Sequence, residues 1–272
     1  MDILDFIISK PYNVGIALSG GGIKSLCHAG ALKALEEQGI KPDIISGVSS
    51  GAVVGAFYAD GYSPSEIAVL FEDIKFRTMT KIHIPDGGFF QTDIFQDFLN
   101  RKLRAKTFEE LRIPLRVVAT DLDNGKSVTF SSGNLIDPIV ASCSLPVLFK
   151  PKTIDGVNYV DGGVLKNFPV STIRNDCEKV IGINTSAFVT DNYKLSILNI
   201  AFRSYHFMFK ANILHDKELC DLLIEPLDMG NYETFGVHKG REIFELGYES
   251  TRQMLAAKLK SKEIKKNETC QL

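Results

Sequence analysis

The pentapeptide Gly47-Val48-Ser49-Ser50-Gly51 constrains this chain more than any other stretch. It has the form Gly-x-Ser-x-Gly, follows the apolar pair Ile44-Ile45 and precedes small and apolar residues from 52 to 57. This order predicts a strand, a sharp turn and a helix, with a serine in strained backbone geometry at the apex. Larger residues on the flanks of such a turn would clash, which explains the two glycines. Ser49 is therefore the candidate nucleophile, although an ordinary glycine-rich turn could carry the same five residues.

Three consecutive glycines, Gly20-Gly21-Gly22, follow an apolar strand predicted over residues 14–19. Apolar residues then recur at helical spacing from Ile23 to Gln38. Backbone N–H groups between a buried strand and a helix are not shielded by side chains, and they lie at the positive end of the helix dipole. We therefore expect an anion site. The alternatives are a flexible turn and a nucleotide phosphate site, but no Gly-x-Gly-x-x-Gly or Gly-Lys-Ser/Thr motif supports the latter.

Strands and helices continue to alternate, which is typical of an α/β sheet covered by helices on both faces. Strands are predicted at 43–46, 115–120, 178–184 and 222–226, hairpin turns at 123–126 and 154–157, and helices from Ser63 and over about 237–260. With 272 residues, of which 44% are hydrophobic and 24% charged, we expect a single domain over 1–272.

Asp161 is the aspartate whose surroundings best suit a general base. It ends an apolar strand, and Gly162-Gly163 leave room beside it for another group to approach. The motif Asp-Gly-Gly is also a common turn. Asp121 and Asp123 end another strand, where turn formation is the more frequent role and catalysis the alternative.

Histidine is the usual base for a serine nucleophile, so five side chains compete with Asp161 for that role. They are His28, His83, His206, His215 and His238. The last three follow Asp161 in the chain, as the Ser…Asp…His order of an α/β hydrolase requires. None has a sequence context as informative as that of Asp161, and a structural or surface role is the simpler interpretation of each.

Three segments raise the question of membrane contact. Residues 76–91 mix aromatic and apolar residues with glycine and proline, as in a lid, a lipid-contacting surface or a loop packed on the core. A helix around Leu198–Met208 is apolar over much of its circumference, so it suits the core or an amphipathic membrane-contacting helix. Five lysines between 258 and 266 make a basic tail, about 258–272, that is either solvated or in contact with anionic lipid.

Composition limits the compartment and the partners. A net charge of −2 provides no basic field for nucleic acid, so we expect no nucleic-acid binding. Five scattered cysteines suggest reduced thiols and a cytoplasmic protein. The acidic N-terminus predicts no signal peptide, and no apolar run is long enough to predict a membrane span.

Four blocks, in this order and spacing, resemble those of the patatin-like phospholipases. They are Gly20-Gly21-Gly22-Ile23-Lys24, Gly47-Val48-Ser49-Ser50-Gly51, Ala141-Ser142-Cys143-Ser144-Leu145-Pro146 and Asp161-Gly162-Gly163. The likeness extends from Val14 to the final helix, and the chain length resembles that of the small bacterial members. One position departs from the family, since Ser25 stands where glycine is usual, and this leaves open how closely the first helix packs.

The resemblance implies a three-layer α/β/α sandwich with a mainly parallel central sheet. It also implies a Ser49–Asp161 dyad, an oxyanion hole of Gly20, Gly21 and Gly22 N–H groups, and Lys24 as a substrate contact or loop support. The activity implied is of phospholipase A or lysophospholipase type, that is, hydrolysis of the acyl esters of phospholipids by a protein in peripheral contact with the membrane surface. It is expected to need no metal or cofactor. Two alternatives remain: a carboxylesterase or thioesterase with a Ser-His-Asp triad, and a silenced regulatory or binding protein. The oligomeric state stays open.

Overall fold

A computed structural model describes residues 10–73, 92–186, 195–226 and 239–269, together with residues 228, 229 and 232. Side chains are described up to residue 259, apart from 72, 73, 198 and 202. The predicted lid at 76–91 lies outside the described residues, as do His83 and His238.

Eight strands within the described ranges form one sheet. They are β1 (Tyr12–Leu18), β2 (Ile44–Val48), β3 (Leu115–Asp121), β4 (Lys126–Phe130), β5 (Lys152–Ile154), β6 (Val157–Asp161), β7 (Cys177–Ile183) and β8 (Leu222–Ile224). Their order is β5-β6-β3-β2-β1-β7-β8, and β4 pairs with β3. The neighbouring strands β3, β2, β1, β7 and β8 are parallel to one another, whereas β4, β5 and β6 join the sheet by antiparallel pairing. The predicted, mainly parallel sheet is confirmed, and its antiparallel strands all lie on the β3 side.

Helices lie between the strands. The α-helices among the described residues are α1 (Leu26–Glu37), α2 (Ser50–Ala59), α3 (Pro64–Asp73), α4 (Asp93–Lys102), α5 (Ile136–Ser142), α6 (Gly163–Lys166), α7 (Ile197–Asn212), α8 (Leu214–Glu218) and α9 (Gly240–Thr269). Short 3-10 turns occupy Gly22–Ser25, Phe108–Glu110, Val170–Thr172 and Arg174–Asp176.

The sheet separates two buried cores, because successive side chains of a strand point to opposite faces. In β1, Ile16 and Leu18 belong to the larger core, which they share with residues of α1, α2, α3, α4 and α9. Ala17 between them belongs to the second core, with Phe168 and Ile213. This is the three-layer α/β/α arrangement expected of the sequence.

Helices α1 and α9 approach so closely that only glycine fits at their crossing. A Cβ atom on Gly30 would lie 2.0 Å from the Phe244 carbonyl oxygen, and one on Gly247 would lie 2.2 Å from that of Cys27. The C-terminal helix is thereby held on the larger core. It extends to Thr269, beyond the predicted end near residue 260, because the lysine- and glutamate-rich sequence that follows favours helix although it is no longer apolar.

Local sequence signals agree with the structure. The predicted hairpins are confirmed as β3–β4 and β5–β6. The second turns through Asp155 (φ 48°) and Gly156 (φ 82°), the left-handed pair that a tight two-residue hairpin requires. At the start of α3, the Ser63 N–H donates to Glu66 Oε2 at 2.8 Å, a capping box. Within the described parts of the chain, no helix combines the length and apolar character needed to cross a bilayer.

Candidate active site

Ser49 occupies a sharp turn between β2 and α2, as the Gly-x-Ser-x-Gly pattern predicts. Its backbone has φ 52° and ψ −130°, a conformation that costs a non-glycine residue about 1–3 kcal/mol. Added Cβ atoms at the flanking glycines would clash: at Gly47 with Ala52 Cα at 2.7 Å, and at Gly51 with the Ser19 carbonyl oxygen at 2.4 Å. The two glycines therefore allow α2 to start directly against the end of β1, with Ser49 at the apex.

Ser142, at the end of α5, holds the turn in place through its hydroxyl group. The Ser49 N–H donates to Ser142 Oγ at 2.7 Å, and that hydroxyl donates to the Val118 carbonyl oxygen at 2.6 Å. Ser142 is fully buried, so these bonds have no competition from water. Sequence reasoning gave Ser142 no role. The only signal was its place in one of the four motif blocks.

Asp161 accepts a hydrogen bond from the nucleophile. The Ser49 hydroxyl donates to Asp161 Oδ2 at 2.6 Å, and the Gly163 N–H donates to Oδ1 at 2.8 Å. The second bond fixes the carboxylate so that Oδ2 faces the serine. Asp161 ends β6, and the main-chain N–H of Asp161 is held by the Ser144 carbonyl oxygen at 2.9 Å. The side chain of Asp161 is 3% exposed.

Burial raises the pKa of Asp161 from 3.8 to about 6, against the hydrogen bonds from Ser49 and Gly163, which lower it. A carboxylate in a desolvated site is a stronger base than one in water, because its charged form has lost solvation. Burial and the Asp161 charge also raise the pKa of the Cys143 thiol well above its ordinary value. Cys143 is therefore protonated at neutral pH and does not compete with Ser49 as a nucleophile.

The glycine loop approaches Ser49 so closely that a Cβ atom on Gly20 would lie 3.2 Å from Ser49 Cβ. Not all of its N–H groups are available. The Gly20 N–H donates to the Asn167 carbonyl oxygen at 3.2 Å, and the Gly21 N–H donates to Ser50 Oγ at 3.1 Å. Gly22, with φ 61°, has no acceptor for its N–H in the described part of the chain.

A second group of unpaired donors lies at the start of α2. The first N–H groups of a helix have no intrahelical acceptor, and those of Ser50 and Gly51 find none elsewhere among the described residues. The Ser50 N–H directly follows the nucleophile, the position that supplies an oxyanion donor in the Gly-x-Ser-x-Gly turn of hydrolases. Sequence reasoning considered only the glycine loop for this purpose.

Ser25 and Lys24 are both buried under the glycine loop. Ser25 Oγ lies 2.5 Å from Ser50 Oγ, which in turn receives the Gly21 N–H. The residue that departs from the family pattern therefore links the glycine loop to the helix after the nucleophile. Lys24 is only 3% exposed, as expected of a residue that supports the loop.

Asn167 connects the glycine loop to the Asp161 segment. Its Nδ2 donates to Ser186 Oγ at 2.6 Å, and Ser186 Oγ donates to the Gly20 carbonyl oxygen at 2.7 Å. The Asn167 Oδ1 atom is buried, has no hydrogen-bond partner among the described residues and faces both glycine segments. Cβ atoms on Gly20 and Gly163 would lie 2.4 Å and 2.7 Å from it. This contact fixes the separation between the loop and the Asp161 segment.

The family's sequence profile, that of the patatin-like phospholipases, matches residues 16–173. This range contains the serine turn, the glycine loop, Asp161 and Asn167. The chain belongs to the patatin-like phospholipase family.

Several relatives of this patatin-like protein are uncharacterised. It is 31% identical over 227 residues to the protein YqhO of Bacillus subtilis, a match that covers 71% of this chain and 78% of the relative. An NTE family protein of Mycobacterium bovis is 35% identical over 168 residues, which cover 61% of this chain and 46% of the relative. The patatin-like phospholipase domain-containing protein 7 of Rattus norvegicus is 27% identical over 87% of this chain, but the match spans only 20% of that protein. This chain thus corresponds to about half or less of the longer relatives.

Among solved structures, VipD from Legionella pneumophila superimposes on the patatin-like chain with a TM-score of 0.62. The match covers 91% of this chain and 67% of VipD at 16% sequence identity. At that identity the similarity establishes the fold. The family profile is what supports a lipid hydrolase.

The other candidate acids of this patatin-like protein have structural roles. Asp121 Oδ1 accepts the Asn124 N–H at 2.9 Å, and Asp123 Oδ2 accepts the Asn158 N–H at 2.9 Å. Both therefore stabilise turns, which is the role that the sequence favoured for them. In the part of the chain that is described, no group of three or more His, Cys, Asp or Glu side chains is arranged to hold a metal ion.

Among the described residues, no hydrogen bond joins a histidine to Ser49 or to Asp161. His28 is fully buried, with Nε2 2.8 Å from the Ser19 carbonyl oxygen, and burial lowers its pKa to about 4. A neutral ring that donates from Nε2 satisfies this carbonyl just before the glycine loop. His215 is exposed on α8, and the His206 ring lies 6.2 Å from that of Phe209 on α7.

Proposed function

We propose that this chain is a serine lipid acyl hydrolase, of phospholipase A or lysophospholipase type, that uses Ser49 as nucleophile and Asp161 as base. One observation carries the proposal: the Ser49 hydroxyl donates to Asp161 Oδ2 at 2.6 Å, in a site where burial raises the pKa of that carboxyl to about 6. A nucleophile bonded to a base that is itself oriented by a third group is the usual arrangement for covalent catalysis. The Gly163 N–H is that third group here.

In the first step Ser49 Oγ attacks the carbonyl carbon of the acyl ester and its proton passes to Asp161 Oδ2. With a pKa of about 6, the carboxyl is about nine-tenths ionised at neutral pH, so the base is present in its active form. General base catalysis of this kind contributes about 10²–10⁴-fold to a rate. The protonated Asp161 then returns the proton to the alkoxide of the leaving lysolipid or alcohol.

The tetrahedral intermediate carries its negative charge on the former carbonyl oxygen. The Gly22 and Ser50 N–H groups are the donors that we assign to this oxyanion, because neither has an acceptor among the described residues. Ser50 directly follows Ser49, and Gly22 belongs to the glycine loop that approaches Ser49 through Gly20. The Gly20 and Gly21 N–H groups instead hold the loop in position through Asn167 and Ser50. Loss of one oxyanion donor reduces kcat by about 10²–10³-fold in serine hydrolases.

Hydrolysis of the acyl-enzyme repeats these roles with water. Asp161 accepts a proton from the water that attacks the acyl carbonyl, and it returns the proton to Ser49 as the fatty acid leaves. All these steps use groups of this chain alone, and we expect no requirement for a cofactor.

The test is fatty-acid release from mixed phospholipid vesicles in the presence of a chelator. We expect the wild type to release fatty acid, and Ser49→Ala and Asp161→Asn to fall to background. Asp123→Asn, which removes a turn-forming aspartate near the start of β6, at the opposite end of that strand from Asp161, serves as a matched control and should retain most of the activity.

Three results would contradict the proposal. If Asp161→Asn kept its rate while Ser49→Ala lost it, a histidine would be the base, and His206→Ala, His215→Ala and His238→Ala would identify which one. If the wild type released no fatty acid from vesicles but cleaved soluble esters or thioesters, the substrate class would be wrong. A wild type inactive on all three substrates would favour the regulatory alternative.

A further inference from the structure

Helix α7 is attached to the segment that carries the catalytic aspartate. Asn212 Nδ2 donates to the Gly163 carbonyl oxygen at 2.8 Å, and Asn212 Oδ1 accepts the Asn167 N–H at 2.8 Å. Phe209 packs against Gly163, where an added Cβ atom would lie 2.9 Å from its ring. The inward side of α7 therefore packs, through Phe209 and Asn212, on the residues that follow Asp161.

The outer face of α7 is apolar and exposed, which reverses the usual pattern of a surface helix. Ile197 is 87% exposed, Ile200 48% and Phe207 51%. The exposed residues at helical spacing, hereafter the outer face, are Ile197, Ile200, Ser204, Phe207, Met208 and Ala211. The Ser204 hydroxyl donates to the Ile200 carbonyl oxygen at 2.8 Å, so the one polar side chain in the stripe is satisfied within the helix.

The apolar surface continues beyond both ends of the helix. Leu195 is 81% exposed before α7, and Leu214 is 60% exposed at the start of α8. Single exposed apolar residues are normal on proteins, but a contiguous stripe of this length marks a contact surface.

The charges of α7 indicate what that contact is. Over its sixteen residues the helix has no aspartate or glutamate, although the whole chain has a net charge of −2. Its basic residues Arg203 and Lys210 are seven positions apart and so lie on one flank of the apolar stripe. The Arg203 guanidinium lies 5.6 Å from the centre of the Phe207 ring. An apolar face bordered by cations is typical of a helix that lies in the head-group region of an anionic bilayer.

We propose that the outer face of α7 is the surface on which this protein docks to phospholipid bilayers that carry anionic head groups. The helix would lie in the plane of the interface, with Ile200 and Phe207 among the acyl chains and Arg203 and Lys210 at the phosphates. The inference rests on the proposed function, since it names the surface through which the Ser49–Asp161 site reaches its lipid. Because Phe209 and Asn212 contact the Asp161 segment, docking by this face holds that segment next to the bilayer.

Binding is measured by co-sedimentation with vesicles, on the Ser49→Ala background so that no lipid is consumed. The vesicles are phosphatidylcholine alone, or phosphatidylcholine with an equal part of phosphatidylglycerol. We expect the Ser49→Ala protein to bind the anionic vesicles, and Ile200→Gln/Phe207→Gln added to it to lower the partition coefficient at least about tenfold, since each residue loses its burial in lipid. Arg203→Gln/Lys210→Gln should remove most of the preference for the anionic vesicles.

The chain offers a matched control for the loss of exposed apolar area. Val69 on α3 and Ile94 on α4 are 58% and 48% exposed. These exposed fractions are similar to those of Ile200 and Phe207, the residues replaced on α7. Val69→Gln/Ile94→Gln should leave vesicle binding unchanged. Hydrolysis of a soluble short-chain ester is measured with Ser49 intact. Its rate should stay within about twofold of wild type in Ile200→Gln/Phe207→Gln and in Val69→Gln/Ile94→Gln, because neither pair touches the dyad.

Three outcomes would overturn the docking proposal. In the first, the anionic vesicles sediment without the Ser49→Ala protein. In the second, the α7 and control double variants lose binding equally. In the third, light scattering shows a dimer that Ile200→Gln/Phe207→Gln converts to a monomer. The last result would assign the face to a second copy of the chain. Failure of the proposed function is distinct from all three, because it would leave vesicle binding intact while the wild type hydrolysed no ester.

Discussion

Replacing Asp161 by asparagine should change how the stability of the protein depends on pH. Burial raises the pKa of Asp161 from 3.8 to about 6, so the folded state holds a proton that the unfolded state has released between these values. The folded state therefore loses stability as the pH rises through this window, and the loss amounts to about 3 kcal/mol once the pH exceeds 6. The side chain is 3% exposed, so solvent screening reduces this figure little. Asparagine cannot titrate and abolishes the effect.

His28 changes stability in the opposite direction. Burial lowers its pKa from 6.5 to about 4, so the unfolded state binds the extra proton and the folded state gains stability as the pH rises from about 4 to 6.5. The two contributions are similar in size and nearly cancel in the wild type. The difference between wild type and Asp161→Asn isolates the carboxyl, because the contribution of His28 is common to both proteins.

The assay is urea unfolding of both proteins from about pH 4 to about pH 8. We expect Asp161→Asn to gain about 3 kcal/mol relative to wild type across this range, with most of the change between pH 4 and pH 6. Ser49→Ala is the control that keeps the carboxyl. It removes a hydrogen bond that lowers the Asp161 pKa, so its stability should fall at least as steeply with pH as that of the wild type. A difference between wild type and Asp161→Asn that does not vary with pH would refute the raised pKa and, with it, the basis for a carboxylate base.

The same pKa predicts the pH dependence of kcat/KM on a soluble ester. We expect kcat/KM to stay level above pH 6 and to fall about tenfold for each pH unit below it, because the base becomes protonated. A profile that still rises from pH 7 to pH 8 would indicate a different base. Ser142→Ala removes the acceptor of the Ser49 N–H and the donor to the Val118 carbonyl oxygen. We expect the free energy of unfolding, measured with urea, to fall by about 2 kcal/mol, and kcat to fall at similar KM. An unchanged kcat would show that the turn keeps its geometry without Ser142. Gly51→Ala puts a Cβ atom 2.4 Å from the Ser19 carbonyl oxygen and should destabilise the fold by more than about 2 kcal/mol, whereas Gly125→Ala, at an open turn, should cost less despite its positive φ.

Features encoded by neighbouring residues were predictable from the sequence. The serine turn at Ser49, the glycine loop and the hairpin at Asp155-Gly156 all lie where the patterns indicated, because each depends on which backbone angles a few adjacent residues allow. The extent of the C-terminal helix was predicted less well. Its last turns have lost the apolar periodicity on which the prediction relied.

The availability of the oxyanion donors could not be predicted in this way. The sequence presents Gly20, Gly21 and Gly22 as equivalent, yet the structure pairs the first two N–H groups with Asn167 and Ser50. The same limit applied to α7, whose apolar residues fitted both a core helix and a membrane helix. Only the packing of Phe209 and Asn212 on the Asp161 segment distinguishes the inner from the outer face.

The sequence by itself determined the local geometry of the nucleophile, the order of strands and helices, and the family to which the chain belongs. The resemblance paired Ser49 with Asp161, but only the tertiary structure gave the hydrogen bond that joins them across 112 residues and the burial that raises the pKa of Asp161 to about 6. The physical reason is that backbone conformation is set by neighbours along the chain. Hydrogen-bond partners, desolvation and the exposure of a helix face depend instead on which distant segments the folded sheet brings together.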